Sequence, residues 1–195
     1  MIRSKFQYII MAMIGAGVIG CSKAPVLNIY SLDVPRTQTK IVHTYRDKSI
    51  KVSFPQSIKE PVSEKMHFSY ATNDRGVYQN SQWSANMGRL LQGTFIEVLD
   101  SSKLFKVVLS DMSTLEENYR LESTIFDFEH HVRGSDSYAV VSVQFTLINV
   151  NTGRLAKSKR FSYQESTPTI DAKGYAIATN SIMIRLSDDL LKWIQ

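Results

Sequence analysis

Hydrophobic and polar residues alternate along three long stretches in the second half of the chain, residues 119–133, 138–150 and 154–164. Alternation with a period of two is typical of β-strands. Short turns containing Gly and Asn or Asp separate these stretches, at residues 134–136 and 151–153. Because such turns join neighbouring antiparallel strands, the pattern predicts a three-stranded antiparallel meander. In the first of these strands, strict alternation places Leu121 and Ile125 on one face and Phe126, Phe128 and His130 on the other.

Shorter alternating segments in the first half predict further strands at residues 27–32, 50–54, 66–72, 77–83 and 104–109. The sequence Asn-Asp-Arg-Gly at residues 73–76 is a turn pattern, so the two strands that flank it are predicted to form a hairpin.

Two segments change to a helical period. Residues 84–100 place apolar side chains three and four positions apart, with Ser84 as the expected N-cap, and residues 169–193 do the same, with Thr169 as the expected N-cap. Two amphipathic helices on one face of a mostly antiparallel β-sheet would bury both apolar stripes. The sequence therefore predicts an α+β fold, with residues 27–195 forming a single domain.

The N-terminus carries a different pattern. Arg3 and Lys5 precede an apolar run at residues 6–19, which is typical of a secretory signal peptide over residues 1–20. An uncut signal anchor with Cys21 as an ordinary buried cysteine is the alternative. The run has about 14 residues, fewer than the roughly 20 needed to span a bilayer, and this favours cleavage.

The end of the leader, Val-Ile-Gly-Cys at residues 18–21, resembles a bacterial lipobox. That resemblance implies cleavage between Gly20 and Cys21, a diacylglyceryl group on the Cys21 sulfur, and a fatty chain such as palmitate on the new amine. Residues 21–26 would then be a tether that reaches at most about 17 Å. Ser22 stands where an Asp would retain an enterobacterial lipoprotein at the inner membrane, and this favours the outer membrane.

Composition narrows the function classes. The chain has 23 Lys and Arg and 18 Asp and Glu; a leader with two basic residues leaves a mature net charge of +3, which is too small to indicate nucleic-acid binding. Cys21 is the single cysteine, so no disulfide framework is expected. The nucleophile-elbow, phosphate-loop and zinc-protease motifs are missing from the sequence, and we expect neither an enzyme nor a cofactor.

Several polar clusters remain candidates for function. Asp127, Glu129 and His131 share a strand face and could ligate a metal, although an ordinary polar strand face explains them as well. Acidic residues near the end of the last helix are most simply a solvated face. Four aromatic residues are a separate candidate set, which could either pack in the core or line a path for lipid: Tyr30, Trp83, Phe95 and Trp193.

One predicted strand is strongly basic, with Arg154, Lys157, Lys159 and Arg160. These residues could contact anionic lipid headgroups or an acidic partner. The alternative is ordinary protection of an edge strand by lysine, which discourages pairing with other chains.

The order of these segments resembles a known family. The lipobox is followed by N-I-Y-S-L, W-x-x-x-M-x-x-L-L, S-S-K-L-F-K-V-V-L, Y-R-L-E-S-T-I-F-D-F-E-H and V-S-V-Q-F-T-L-I-N-V-N-T-G-R-L. This set is similar to the ABC-type transport auxiliary lipoproteins, the PqiC-like partners of MCE-domain lipid transporters. The polar region 33–65 departs from that pattern.

The resemblance implies a non-enzymatic accessory lipoprotein on the periplasmic face of the outer membrane. Its partners would be an MCE-domain protein, which carries phospholipid between membranes, and the ABC permease and ATPase that drive it. The resemblance allows both direct contact with phospholipid and homo-oligomerisation, and it decides neither. The second hypothesis is an unrelated periplasmic lipoprotein that assists cell-envelope assembly or binds a small ligand.

Overall fold

The computed structural model describes residues 25–34, 45–59 and 61–195. The predicted signal peptide, the cleavage site between Gly20 and Cys21, and residues 21–24 of the predicted tether lie outside the described residues. Within the described part, nine strands and two helices occur in this order: β1 (Asn28–Tyr30), β2 (Tyr45–Val52), β3 (Gln56–Ser57), β4 (Lys65–Ala71), β5 (Asp74–Trp83), α1 (Met87–Ser102), β6 (Phe105–Ser110), β7 (Tyr119–Arg133), β8 (Asp136–Asn149), β9 (Arg154–Ser166) and α2 (Ala172–Ile194).

The predicted meander and hairpin are both present. β7, β8 and β9 pair antiparallel along almost their whole length, and β4 pairs antiparallel with β5. The remaining described pairings are parallel, between β1 and β5, β2 and β6, and β7 with each of β2, β3 and β4. The sheet is therefore mixed with long antiparallel segments, and the predicted α+β class is confirmed.

One edge of β7 receives three strands at different levels. β2 pairs at the level of Leu121, β3 at the level of Ile125, and β4 at the level of His130. The sheet consequently splits beside residues 126–129, and β1 and β9 are the outermost strands of the series β1-β5-β4-β7-β8-β9.

A β-bulge at this split changes the facing of β7. The register with β8 shifts between Ile125 and Asp127. An extra residue in one strand reverses the alternation beyond it. Phe128 and His130 therefore share the helix-covered face with Ile125, and the strict alternation predicted for this strand is wrong from residue 127 onward.

Both helices pack on one face of the sheet, as predicted, and both reach Phe145 of β8. Phe95 of α1 lies 5.0 Å from the Phe145 ring, and Trp193 of α2 lies 6.3 Å from it. The N-caps differ from the prediction. In α1 the side chain of Asn86, rather than that of Ser84, accepts a hydrogen bond from a main-chain N–H of the first turn. In α2 the side chain of Asp171, rather than that of Thr169, does so.

No helix among the described residues combines the length and apolar character needed to cross a bilayer.

Candidate partner-binding strand and its surroundings

β9, which carries the predicted basic residues, is an edge strand. In the described chain it pairs with β8 alone. Its register places Lys157 and Lys159 opposite Leu147 and Phe145, whereas Arg160 lies opposite Gln144. Paired residues project to the same side of a sheet, so the lysines lie on the helix-covered side and Arg160 on the open side.

Lys157 has a structural role. Its Nζ donates hydrogen bonds to the main-chain oxygens of Trp193, at 2.9 Å, and Ile194, at 2.8 Å. The last carbonyls of a helix lack partners within the helix and carry partial negative charge. Lys157 thus caps the C-terminus of α2.

Arg160 is also engaged within the domain. Its guanidinium lies 3.8 Å from the ring centroid of Phe126, and its Nε donates to Ser142 Oγ at 2.8 Å. Its Nη2 lies 3.9 Å from Asp127 Oδ2. These contacts hold Arg160 flat over the open face of the sheet.

Arg154 and Lys159 are exposed, as Arg160 is, but Arg160 is held by Phe126, Ser142 and Asp127. The Lys159 ammonium lies 4.7 Å from the Phe161 ring centroid. Because the side chains of Arg154 and Lys159 are exposed, these two residues offer the positive charge of β9 to a partner.

Asp127, Glu129 and His131, the candidate metal ligands, do share the open face, but they form ion pairs. Asp127 pairs with Lys59, and Glu129 contacts Arg75 at 3.0 Å and His131 at 2.7 Å. No group of three or more potential metal-ligating side chains comes together in the described part of the chain.

Burial alone would raise the pKa of the Glu129 carboxyl. Hydrogen bonds and charges from His131 and Arg75 outweigh that effect, so the pKa lies below its ordinary value. The Arg75–Glu129 ion pair links β5 to β7 across β4.

A buried polar network on the opposite face was not predicted. His130 is fully buried, with Nδ1 2.7 Å from Tyr78 Oη and Nε2 2.6 Å from Ser137 Oγ. Its ring stacks on Tyr175 at 5.3 Å. Burial lowers the pKa of His130 to about 4 and raises the pKa of Tyr78 to about 12. The imidazole is therefore neutral at physiological pH. Periodicity gave no signal for its partners, because they come from three different elements, β5, β8 and α2.

A cleft lies at the split of the sheet. Pro61, Val62, Trp83 and Phe128 border it, and Arg75 and Asp127 contribute charge. Its cavity volume is about 50 Å³, which has room for a few water molecules. Pockets for drug-sized ligands measure roughly 300–1,000 Å³, so this cleft is too small to enclose a lipid.

Comparison with protein families identifies the family of the chain. Residues 30–190 match the family described as ABC-type transport auxiliary lipoprotein component. The chain belongs to this family. The match runs from the last residue of β1 to residue 190 of α2, so nearly all of the described fold is that of an ABC-type transport auxiliary lipoprotein.

Solved structures support the same fold. Protein XCC0632 from Xanthomonas campestris has 18% sequence identity and a TM-score of 0.74, covering 86% of this chain and 94% of that one. The hypothetical protein CT253 from Chlamydia trachomatis has 8% identity and a TM-score of 0.53, covering 76% and 95%. PelC from Paraburkholderia phytofirmans, a dodecamer, has 15% identity and a TM-score of 0.50, covering 78% and 95%. At these identities the likeness is one of fold.

A search of curated proteins found no match to the chain. Membership of this family indicates an association with an ABC transport system. The exposed basic residues of β9 are the candidate contacts for a partner.

Proposed function

We propose that this chain is a non-enzymatic, lipid-anchored accessory protein of an ABC transporter with an MCE-domain component. In this role it holds the MCE protein at the periplasmic face of the outer membrane while phospholipid passes between membranes. The observation that carries the proposal is the family match over residues 30–190. The resemblance of the ordered sequence segments to PqiC-like proteins supplies the MCE partner.

The proposed anchor is the diacylglyceryl group and N-acyl chain on Cys21. Two or more fatty chains hold a protein stably on a bilayer, because each buried CH2 contributes about 0.8 kcal/mol. A tether of a few residues then keeps the domain close to the membrane surface. Tethering raises the local concentration of the domain near its partner, and this strengthens binding without new contacts.

The proposed contact with the partner is β9. Arg154 and Lys159 are exposed and positively charged, whereas Lys157 and Arg160 are held by α2 and Phe126. An acidic surface on the MCE protein or its permease would complement this strand, and charge complementarity mainly increases the rate and selectivity of association.

The size of the cleft supports docking rather than lipid carriage by this domain. A cavity of about 50 Å³ cannot surround an acyl chain. In the proposal, the phospholipid path therefore belongs to the partner. An assembly of several copies, as in the PelC dodecamer, would present several basic strands to one partner.

Co-purification tests the proposed partnership. Arg154→Glu combined with Lys159→Glu is expected to weaken recovery of the MCE protein, permease and ATPase from native membranes. Lys103→Glu with Lys192→Glu is a matched control, because it reverses two exposed charges outside β9, at the C-cap of α1 and in the last turn of α2. Equal recovery with both double variants would contradict a role for β9, and no recovery of transporter subunits with the natural sequence would contradict the proposed function.

The anchor has its own test. A Cys21→Ala protein is expected to fold, to be released or remain unprocessed, and to fail in complementing a strain that lacks the natural protein. Normal complementation by this variant would contradict the tethering role.

A further inference from the structure

Two neighbouring segments at one edge of the domain contain no charged residue. Residues 25–32 and 76–88 contain no Asp, Glu, Lys, Arg or His, although 21% of the whole chain is Asp, Glu, Lys or Arg. At that frequency, 21 residues would include about four charged ones. The parallel register of β1 with β5 brings the two segments together, with Asn28 beside Ser81 and Tyr30 beside Trp83. We call this surface the neutral edge.

The neutral edge exposes apolar side chains where the described chain begins. Val26 is 81% exposed, Leu27 47% and Ile29 60%. Neighbouring Tyr30 and Leu32 pack against the core, so β1 is held in place while the alternate side chains face outward. Apolar groups that are exposed together, with no charged residue between them, mark a contact with a membrane or a partner.

The position of this surface in the chain identifies its occupant. Val26 follows Cys21 by five residues, which extend to at most about 17 Å. If Cys21 carries fatty chains, the exposed side chains of the neutral edge lie within that distance of the lipid–water interface. Apolar side chains insert readily at this depth, whereas charged residues would resist leaving water.

We propose that the domain is seated on the bilayer by its neutral edge, with Val26, Leu27 and Ile29 in the interfacial layer. This inference rests on the proposed lipidation of Cys21. The lipid surface is the occupant, and the domain thereby acquires a fixed orientation rather than hanging freely from its tether.

The orientation assigns a direction to β9. β1 and β9 are the outermost strands of the six-strand series β1-β5-β4-β7-β8-β9. Neighbouring strands are about 4.8 Å apart, so β9 lies about 24 Å across the sheet from β1. Charges are screened beyond about 8 Å at physiological ionic strength. In this orientation Arg154 and Lys159 lie beyond the range of attraction to the lipid headgroups and are available to an acidic protein surface in the periplasm.

Site-specific fluorescence in the lipidated mature protein tests the seating. Ile29→Cys and Leu155→Cys are matched variants, because Ile29 is 60% exposed and Leu155 63% exposed, on opposite outer strands. Cys21 is the single natural cysteine, and its sulfur is blocked when lipidated, so a thiol-reactive bimane labels the introduced residue alone. The proteins are reconstituted in phosphatidylethanolamine–phosphatidylglycerol vesicles that contain a lipid-borne quencher.

The label at Ile29 is expected to shift to shorter wavelength and to be quenched several-fold more strongly than the label at Leu155. Quenching at Leu155 is expected to stay low as the phosphatidylglycerol fraction increases. Equal quenching at both positions would overturn the proposal. Shielding of the Ile29 label from aqueous iodide without quenching by the lipid quencher would also overturn it, since a second copy of the chain would then cover the edge.

Vesicle flotation and intact mass separate this inference from the anchor on which it depends. Lipidated protein that floats with vesicles but shows no quenching at Ile29 contradicts the seating alone. Protein with a bare Cys21 that fails to float contradicts the anchor itself. Val26→Cys, at a position 81% exposed, provides a second label for the same edge and is expected to behave as Ile29→Cys does.

Discussion

Lys157 on the outer strand β9 donates a 2.9 Å hydrogen bond to the main-chain oxygen of Trp193 at the C-terminus of α2. This contact joins the last strand to the last helix through a charge. Lys157, which the sequence offers as a candidate for partner contact or for edge-strand protection, therefore stabilises the fold.

Replacing Lys157 with Met tests that role. Lys157→Met keeps most of the aliphatic chain but leaves the last carbonyls of α2 without their charged donor, and we expect a loss of about 1–2 kcal/mol in the free energy of unfolding. Lys159→Met, at an exposed position, is expected to lose less than about 1 kcal/mol. Urea unfolding followed by circular dichroism measures both, and equal losses would contradict the capping role.

The buried His130 predicts a specific pH dependence. In the native state its pKa is about 4, whereas in the unfolded chain it is near 6.5. Between these values the unfolded state binds more protons, so native stability falls as pH falls from about 6.5 to 4, by up to about 3 kcal/mol. At higher pH the imidazole is neutral in both states and contributes no slope.

His130→Gln isolates this contribution. The variant is expected to be less stable at neutral pH, because the contacts with Tyr78 and Ser137 are altered, but to show a shallower decline in acid. Carboxylates such as Glu129, whose pKa is lowered, contribute to the decline in both proteins and cancel in the comparison. Identical slopes of unfolding free energy against pH would contradict a neutral buried His130.

Two helical glycines should respond in opposite directions to substitution by alanine. A Cβ on Gly174 would overlap the main-chain oxygen of Thr169, whereas a Cβ on Gly93 would meet nothing within 4 Å. We expect Gly174→Ala to lose about 1–3 kcal/mol and Gly93→Ala to gain about 0.5–1 kcal/mol, since alanine has the higher helix propensity. Thermal unfolding of the two variants checks the signs. A stabilising Gly174→Ala would show that the turn before α2 rearranges.

The local elements were predictable because their determinants are close in sequence. The turns at residues 134–136 and 151–153 fix β7, β8 and β9 as neighbours, and the apolar stripes of both helices identify the buried face. The N-caps were missed by two residues because Ser84 and Thr169 are as suitable by type as Asn86 and Asp171. Only the turn geometry distinguishes them.

The parts that could not be predicted depend on distant residues. A β-bulge beside Phe126 reverses the facing of the rest of β7, and sequence alternation does not reveal where it occurs. The parallel addition of β2, β3 and β4 to one edge of β7 joins segments 50 or more residues apart. The roles of Lys157 and Arg160 likewise emerge only when α2 and Phe126 are placed beside β9.

The most direct measurement of the central claim is intact and peptide mass spectrometry of the protein purified from the membranes of its natural host. The account predicts a mature chain that begins at Cys21, carries a diacylglyceryl group on its sulfur, and is acylated on its amine. A protein that retains residues 1–20 with an unmodified Cys21 would contradict it.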